Sequence, residues 1–525
     1  MPVPAEIRAV QRPVNTVVVD NGRDGPHRYA VRERAGTRYV AGGNPQPRNG
    51  KVLGHIDAIN LVYIPLETGT VVPREPEELS YGACALFKSV TADILPELLQ
   101  VFPGKDAYMI IAIAALRVIK PSIPAKRLSS EYHRTFISRF YPGVPLSPNT
   151  VGAFLERLGM DGTKRRAFFQ LRAAAVMADH HVAIDGTLKQ DTSKVNDLSA
   201  FSYKARTRGC KEISVLYAYD IEAMEPICAE VFPGNFIDAS SYATFIRDND
   251  IQKGIIVANK GFPPSRIEEE LKARPDLHFL TPLKRNDVRI SNNNMLAYDG
   301  VLSVEGKRIL YRKAAIKGGR FLYSFKDVGK ASAEEASFIA RSEKNQSYDQ
   351  EKYLKKKDLF GVIVFESDQD LPPKTVYTCY EDRWLIELVF NRYKSDDRLD
   401  KTSVQGDFTV IGSEFINFIA TLATCRILRK AEAAGVMDGM SYGDLMDDLS
   451  TAWRKTDAPT APRTDDGCWV HTTNEVFEEL EALGLSEPVP KPEPKKRGRP
   501  KKIKDPEAEK PKRPRGRPRK NPVPG

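Results

Sequence analysis

The chain is poor in the features that mark a membrane, secreted or metal-stapled protein. Its longest uninterrupted apolar run, MIIAIAAL at 109–116, falls far short of the ~20 residues that cross a bilayer, so no membrane partner is expected. The first residues, MPVPAEIRAVQRPV, contain no apolar h-region, and no export signal is expected from them. The 6 cysteines, at 84, 210, 228, 379, 425 and 468, form no C-x-x-C pair. That scatter argues against a disulfide framework and against a zinc site, and for reduced thiols in a cytosol. The 7 histidines are equally dispersed. Their one adjacent pair, His180-His181, would face opposite ways on a strand, so a metal shared by the two is not expected.

What charge there is sits unevenly. The formal net charge is +10, yet residues 491–520 alone hold 15 basic and 4 acidic side chains. The remainder of the chain is therefore near neutral, and a concentrated basic tail points to a polyanionic partner.

The patterning divides the chain. Residues 1–78 alternate short segments such as HRYAVRE and TRYVAG with Gly, Pro and Asn, which predicts a β-rich N-terminal module. Residues 79–178 change to 3–4 spacing (YGACALFKSVTADILPELLQVF, AYMIIAIAALRVI, NTVGAFLERLG), predicting a helical domain broken at its prolines. Over 179–275, HHVAID, ISVLYAYD and PICAEVF predict a three-strand meander opening with an Asp-Gly turn, then a helix, the strand GIIVA and another helix. Strands return over 276–375 as HFLTPL, VLSVEGKRILYRKA, RFLYSF and LFGVIVFE. Long helices are expected over 376–440 and shorter ones over 441–487. Residues 488–525 are too rich in Pro and charge to bury a core, and are expected to be disordered when free.

Two stretches carry candidate chemistry. Asp185 in VAIDGT puts a carboxylate at the end of an apolar strand, where it could bind a divalent cation; a plain strand-to-loop turn explains the same letters. In YEDRWLIELVFNRYK (380–394), Tyr380, Arg383, Glu387, Asn391 and Lys394 fall on one narrow stripe at ~100° per residue. The other faces past the first turn are almost wholly apolar, the reverse of a solvated helix. Such a helix is buried, with its polar row turned either to a cleft or into an internal Arg–Glu–Lys ladder.

The spacing Y-x2-R-x3-E-x6-K at Tyr380, Arg383, Glu387 and Lys394, the block SVLYAYDIEAMEPICAEVFPGN and the stretch VAIDGT together resemble the DDE transposases of the insertion-sequence family four group, over about 180–430. The resemblance implies an α/β fold: a ribonuclease-H-like catalytic core at 179–275 and 376–440, with a β-rich insertion at 276–375 shaping the DNA-binding face. Asp185 and Glu387 would be the first and third catalytic acids, holding Mg2+, with Mn2+ as a substitute, because hard dications take oxygen ligands and two of them clamp the attacking and leaving oxygens of a phosphodiester. Arg383 and Lys394 would neutralise phosphate, and Tyr380 would contact a phosphate or a flipped base. The implied partners are the terminal inverted repeats of an element in double-stranded DNA and a second copy in a paired-end homodimer, in a cytoplasmic, nucleoid-associated setting.

IIVANKGFPP (255–264) resembles the strand that carries the family's second acid, but Asn259 stands at that position. An amide offers one neutral oxygen and takes a full charge from the ligand set. Asp248 and Asp250 precede the strand, and its five extended residues put Asp250 about 17 Å or more from the strand's other end, far beyond metal-bond length. Two functions follow: a transposase whose activity is impaired by Asn259, or a catalytically inactive, transposase-derived DNA-binding protein.

The tail carries R-G-R-P twice, at Arg497, Gly498, Arg499, Pro500 and at Arg515, Gly516, Arg517, Pro518. Both resemble AT-hooks, in which glycine admits the backbone to the floor of an A·T-rich minor groove and arginines line its negative walls. A generic polybasic tail is the alternative. With about eight phosphate contacts, affinity should fall with a log–log salt slope near −7.

Overall fold

Short alternating segments near the N-terminus pair into a four-stranded antiparallel sheet, Thr16–Asp20, Tyr29–Arg38, Gln46–Asp57 and Val62–Pro65, in chain order. Val18, Tyr29, Val31 and Ile56 form its core together with Ile7 of the preceding helix, Ala5–Ala9. This is one unit, Met1–Pro76; the second spans Glu77–Gly525. The structure is a computed structural model that describes residues 3–22, 25, 28–38, 46–66, 77–193, 195–201, 210–234, 239–258, 267–383, 385–396, 399, 401–402, 404–488 and 516.

The second unit begins with helices whose ends the sequence marks. Helix α1 (Gly104–Ile119) contains the apolar run and is buried along most of its length. Helix α2 (Pro148–Met160) starts with proline at its first position and a Ser147 cap that accepts from the Thr150 N–H; α3 (Gly162–Ala174) is capped by Asp161, which accepts from the Lys164 N–H. Each cap satisfies an N–H that the first helical turn leaves orphaned.

The central sheet, which has 11 strands among the described residues, is built on β1 (His181–Asp191), β2 (Lys211–Asp220), β3 (Glu225–Pro233), β4 (Lys253–Ala258) and β5 (Asp276–Pro282). In KEISVLYAYD of β2, rich in β-branched and aromatic residues, every position but the first is buried, as suits a strand covered on both faces. β2 runs antiparallel to β1 and β3, whereas β4 and β5 run parallel to β1. The spatial order is therefore β3-β2-β1-β4-β5 with β2 alone reversed, the arrangement of a ribonuclease-H-like core. Parallel neighbours need crossover helices, and α4 (Ala239–Asp248) and α5 (Glu268–Ala273) supply them.

Beyond β5 the same sheet continues into inserted strands: β6 (Gly300–Val304), β7 (Lys307–Ile316), β8 (Arg320–Asp327) and β9 (Val362–Ser367), with β9 pairing antiparallel to β5. The segment Asp276–Pro282 thus belongs to the core, and the inserted strands start at Gly300.

Two local expectations are corrected. There is no Asp-Gly turn at Asp185: Gly186, Thr187 and Leu188 go on pairing with Leu216, Val215 and Ser214, and β1 runs to Asp191. The stretch 380–394 is also not one regular helix. It comprises the end of α6 (Pro373–Asp382), then α7 (Leu385–Asn391), then a π-helical turn, Arg392–Asp396. The wider turn delivers the fully buried Tyr393 to the interior, where its hydroxyl donates to Glu414 Oε2 at 2.5 Å. The 100° rule that grouped Lys394 with Glu387 stops applying there.

Helix α8 (Asp407–Ala433) covers the sheet. By composition it is long and apolar enough to cross a membrane, but 78% of its most apolar window is buried inside the protein. It crosses α2 backbone to backbone, since a Cβ on Gly159 would stand 1.7 Å from the Phe408 carbonyl oxygen and one on Gly412 2.0 Å from that of Leu155. At the far end, Trp453–Lys455 pairs with Glu78–Ser80, returning the C-terminal helices to the start of the unit. None of the six cysteines forms a disulfide.

Candidate active site

Asp185 lies in the middle of β1 directly opposite Tyr217 of β2, and cross-strand partners share a face of the sheet. Tyr217 is buried and meets Phe390 of α7 with ring centroids 5.8 Å apart, Phe418 of α8 at 6.0 Å and Tyr393 of the π turn at 6.2 Å. This aromatic cluster seats α7 on the face that carries Asp185. The apolar cover read around the 380–394 segment is the packing that does it.

The polar row then converges. Arg383, at the C-terminus of α6, directs Nη1 to Asp185 Oδ2 at 3.5 Å and Nη2 to Glu387 Oε1 at 3.9 Å. The two carboxylates, 202 positions apart in sequence, therefore meet the two ends of one guanidinium. Arg383 is 13% exposed and lies over the Tyr380 ring at 5.5 Å; Tyr380 in turn packs on Phe365 of β9 at 4.6 Å. The Arg383 Nε–H is buried and has no hydrogen-bond partner. Asp185 also accepts the Gly186 N–H at 2.8 Å through Oδ1. Glu387 is the most open of the three, at 40%.

Of the remaining sequence candidates, Lys394 is half-buried in the π turn beside Tyr393. The parallel register of β4 on β1 ends with Ala258 opposite Ile184, one residue before Asp185. Asn259 itself lies outside the described residues, as do Arg497, Gly498, Arg499, Pro500, Arg515, Arg517 and Pro518 of the tail; Gly516 is described only as exposed. One neighbour of the site was missed from sequence. Tyr242 of α4 is buried, and burial first, then the charge of Asp185, pushes its phenol well above the ordinary range. A lone tyrosine in SSYATFIRD carries no spacing that could have marked it.

Residues 177–416 match the family model of the transposase DDE domain. The matched stretch, just under half of the chain, spans the whole β1–β5 sheet, the inserted strands, α6, α7 and the start of α8. Among solved structures, the chain is similar to a piggyBac transposase synaptic complex with hairpin DNA, at 10% identity, a TM-score of 0.39, and coverage of 71% of this chain and 80% of that one. It is also similar to the Mos1 transposase paired-end complex with the left transposon end, at 15% identity, a TM-score of 0.14, and coverage of 30% and 54%. No curated protein sequence matches the chain.

Proposed function

We propose that this protein is a transposase of the insertion-sequence family four type, which binds the terminal inverted repeats of its element and cuts and joins DNA there. The observation that carries the reading is the meeting of Asp185 and Glu387 at Arg383, within the stretch that matches the transposase DDE domain. Both acids present hard oxygen donors, and the guanidinium between them marks a point where positive charge is stabilised; this donor set fits Mg2+, with Mn2+ as a substitute. When bound there, such ions polarise a phosphodiester and activate the attacking oxygen.

The chain's own groups have distinct tasks. Asp185 and Glu387 supply ligand charge, and position 259 supplies a neutral amide oxygen. The Arg383 contacts to both acids are longer than good hydrogen bonds, so they are given up at little cost, and its buried, unpartnered Nε–H leaves donor capacity for a phosphate. Tyr380 supports that guanidinium from below. Lys394 adds a point charge for the DNA backbone. The two R-G-R-P segments hold A·T-rich minor groove, and pairing of element ends calls for a homodimer. A nucleoid-associated position in the cytoplasm follows from this DNA binding.

Asn259 favours a second reading, a transposase-derived protein that binds DNA without cutting it. The test is cleavage of inverted-repeat DNA in Mg2+ or Mn2+. Metal-dependent nicking that Glu387→Gln abolishes is the result expected of the transposase. Absence of nicking in the native chain, with nicking in Asn259→Asp, is the result expected of the non-cutting derivative. No cleavage by either protein would overturn the catalytic assignment of Asp185 and Glu387.

A further inference from the structure

A second group of ligating side chains stands next to the candidate active site without belonging to it. His181 precedes Asp185 by four residues on β1, on the same face and about 13 Å along the strand. Cys379 precedes Arg383 by four residues on α6, and Glu222 lies in the turn between β2 and β3. One ligating atom from each of His181, Glu222 and Cys379 lies within 4.8 Å of the others. His181 Nδ1 meets Glu222 Oε1 at 2.6 Å, and the His181 backbone N–H donates to Glu222 Oε2 at 2.7 Å. The second ring nitrogen, Nε2, is buried with no hydrogen-bond partner, on a side chain that is 5% exposed. A buried polar atom left unpaired is costly and calls for a reason.

We propose that His181, Glu222 and Cys379 form a three-ligand site for a transition-metal dication of the zinc class, with solvent to complete its coordination, separate from the oxygen-lined pair at Asp185 and Glu387. Imidazole, thiolate and carboxylate are the donors zinc takes, whereas magnesium refuses the first two. Ligand atoms around tetrahedral zinc stand about 3.5 Å apart, so small side-chain rotations close the present spacing. Burial pushes the Cys379 thiol up to about 12; a dication would displace that proton to solvent, and the Cys379 thiolate and the Glu222 carboxylate would then balance its two charges. Asp382, three residues beyond Cys379, is close enough to Glu222 and His181 to feel their charges, and adds to the negative surroundings. His180 turns to a different carboxylate, Asp220, at 2.8 Å, and no ligating group among the described residues contains both histidines. The metal would tie the start of β1, the β2–β3 turn and α6 together, the elements that aim Asp185 and Arg383.

The test needs no DNA and no activity. Co2+ added to metal-free, full-length protein should produce a near-ultraviolet thiolate-to-cobalt absorption band, which Zn2+ removes and excess Mg2+ does not. Cys379→Ser should lose the band and Cys425→Ser should keep it. His181→Asn and Glu222→Gln should weaken Co2+ binding about tenfold or more, since even outer partners of a metal site are worth that much. Far-UV circular dichroism checks each fold, and Glu222→Gln, on an exposed turn, decides the matter if Cys379→Ser misfolds. Failure of folded wild-type protein to develop the band, its survival in Cys379→Ser, undiminished binding in Glu222→Gln, or its displacement by Mg2+ would overturn the proposal.

Discussion

Replacing Glu414 by Gln should cost the second unit more than almost any other single polar change. Glu414 is 3% exposed and Lys189, whose ammonium it meets at 2.7 Å, is 2% exposed. Its other oxygen accepts from Tyr393, and Asn417 Nδ2 donates to Oε1 at 3.0 Å. Arg117 continues the network with donation to Asn417 Oδ1 at 2.5 Å and to the Ser413 carbonyl at 3.0 Å, and burial pushes its guanidinium down to about 10. Four elements meet here: β1 through Lys189, the π turn through Tyr393, α1 through Arg117 and α8 through Glu414. Gln keeps the shape and most of the hydrogen bonds but removes the charge that offsets a buried ammonium. Breaking one side of a buried pair costs about 3–5 kcal/mol, a large part of the ~5–15 kcal/mol that holds a domain folded.

The assay is urea unfolding followed by tryptophan fluorescence, since all 3 tryptophans lie in the second unit. Glu414→Gln and Lys189→Met should each lower the midpoint strongly. The double variant removes both charges together, so it should recover part of the loss, with a coupling of about 0.5–3 kcal/mol. If Glu414→Gln costs under ~1 kcal/mol, or the two single losses simply add, then charge pairing is not what matters at this site and the reasoning fails.

Two further perturbations test the packing and the titration of the same unit. Gly412→Ala, on α8, should destabilise by about 1–3 kcal/mol, because its Cβ would meet the Leu155 carbonyl oxygen of α2 at 2.0 Å; Gly152→Ala, on α2 itself and facing open space, should instead gain about 0.5–1 kcal/mol in helix propensity, both read from urea midpoints. Glu479, in helix Asn474–Ala482, has a buried, unpartnered Oε2, and burial, then Asp448, pushes its carboxyl from 4.5 up to about 7. A raised acid favours the folded state below pH 4.5, and that contribution is lost as pH rises towards 7. Glu479→Gln should therefore match wild type near pH 4 and exceed it at pH 8, as thermal melts across pH would show; a constant difference at all pH values would refute the assignment.

Much of this was legible in the letters because buried strands and helices write their packing locally. The apolar runs at 181–184, 213–219 and 255–257 became β1, β2 and β4, and the Arg383–Glu387 spacing survived the break before α7 because both residues still flank one face. Failures came where tertiary contacts overrode local chemistry. Asp185-Gly186 reads as a turn, but pairing with Leu216 and Tyr217 keeps it extended. The π turn at Arg392–Asp396 serves the burial of Tyr393 against Glu414, a partner 21 residues away that no helical wheel contains. His181, Glu222 and Cys379 come together from a strand, a turn and a helix separated by 41 and 157 positions, so no motif spacing could link them.

The charge at the candidate active site bears on what Asn259 changes. Asp185 and Glu387 bring two negative charges and Arg383 one positive, so this described set carries about −1 near neutral pH. A site with a third acid would carry one unit more, and a pair of dications brings four positive charges to be offset. In the proposed site, a neutral amide at 259 would therefore weigh most on retention of a second ion, where repulsion from the first is already present. Arg383 adds to that repulsion unless it turns to a phosphate, which its unpartnered Nε–H and the length of its contacts to both acids allow. DNA binding and metal binding should then reinforce each other: the phosphate draws the guanidinium off the acids, and the freed acids hold the metal. Metal affinity measured with and without inverted-repeat DNA should rise in its presence for wild type. With Arg383→Ala the rise should vanish while metal affinity without DNA increases; an unchanged DNA-dependent rise in that variant would show that Arg383 does not couple the two.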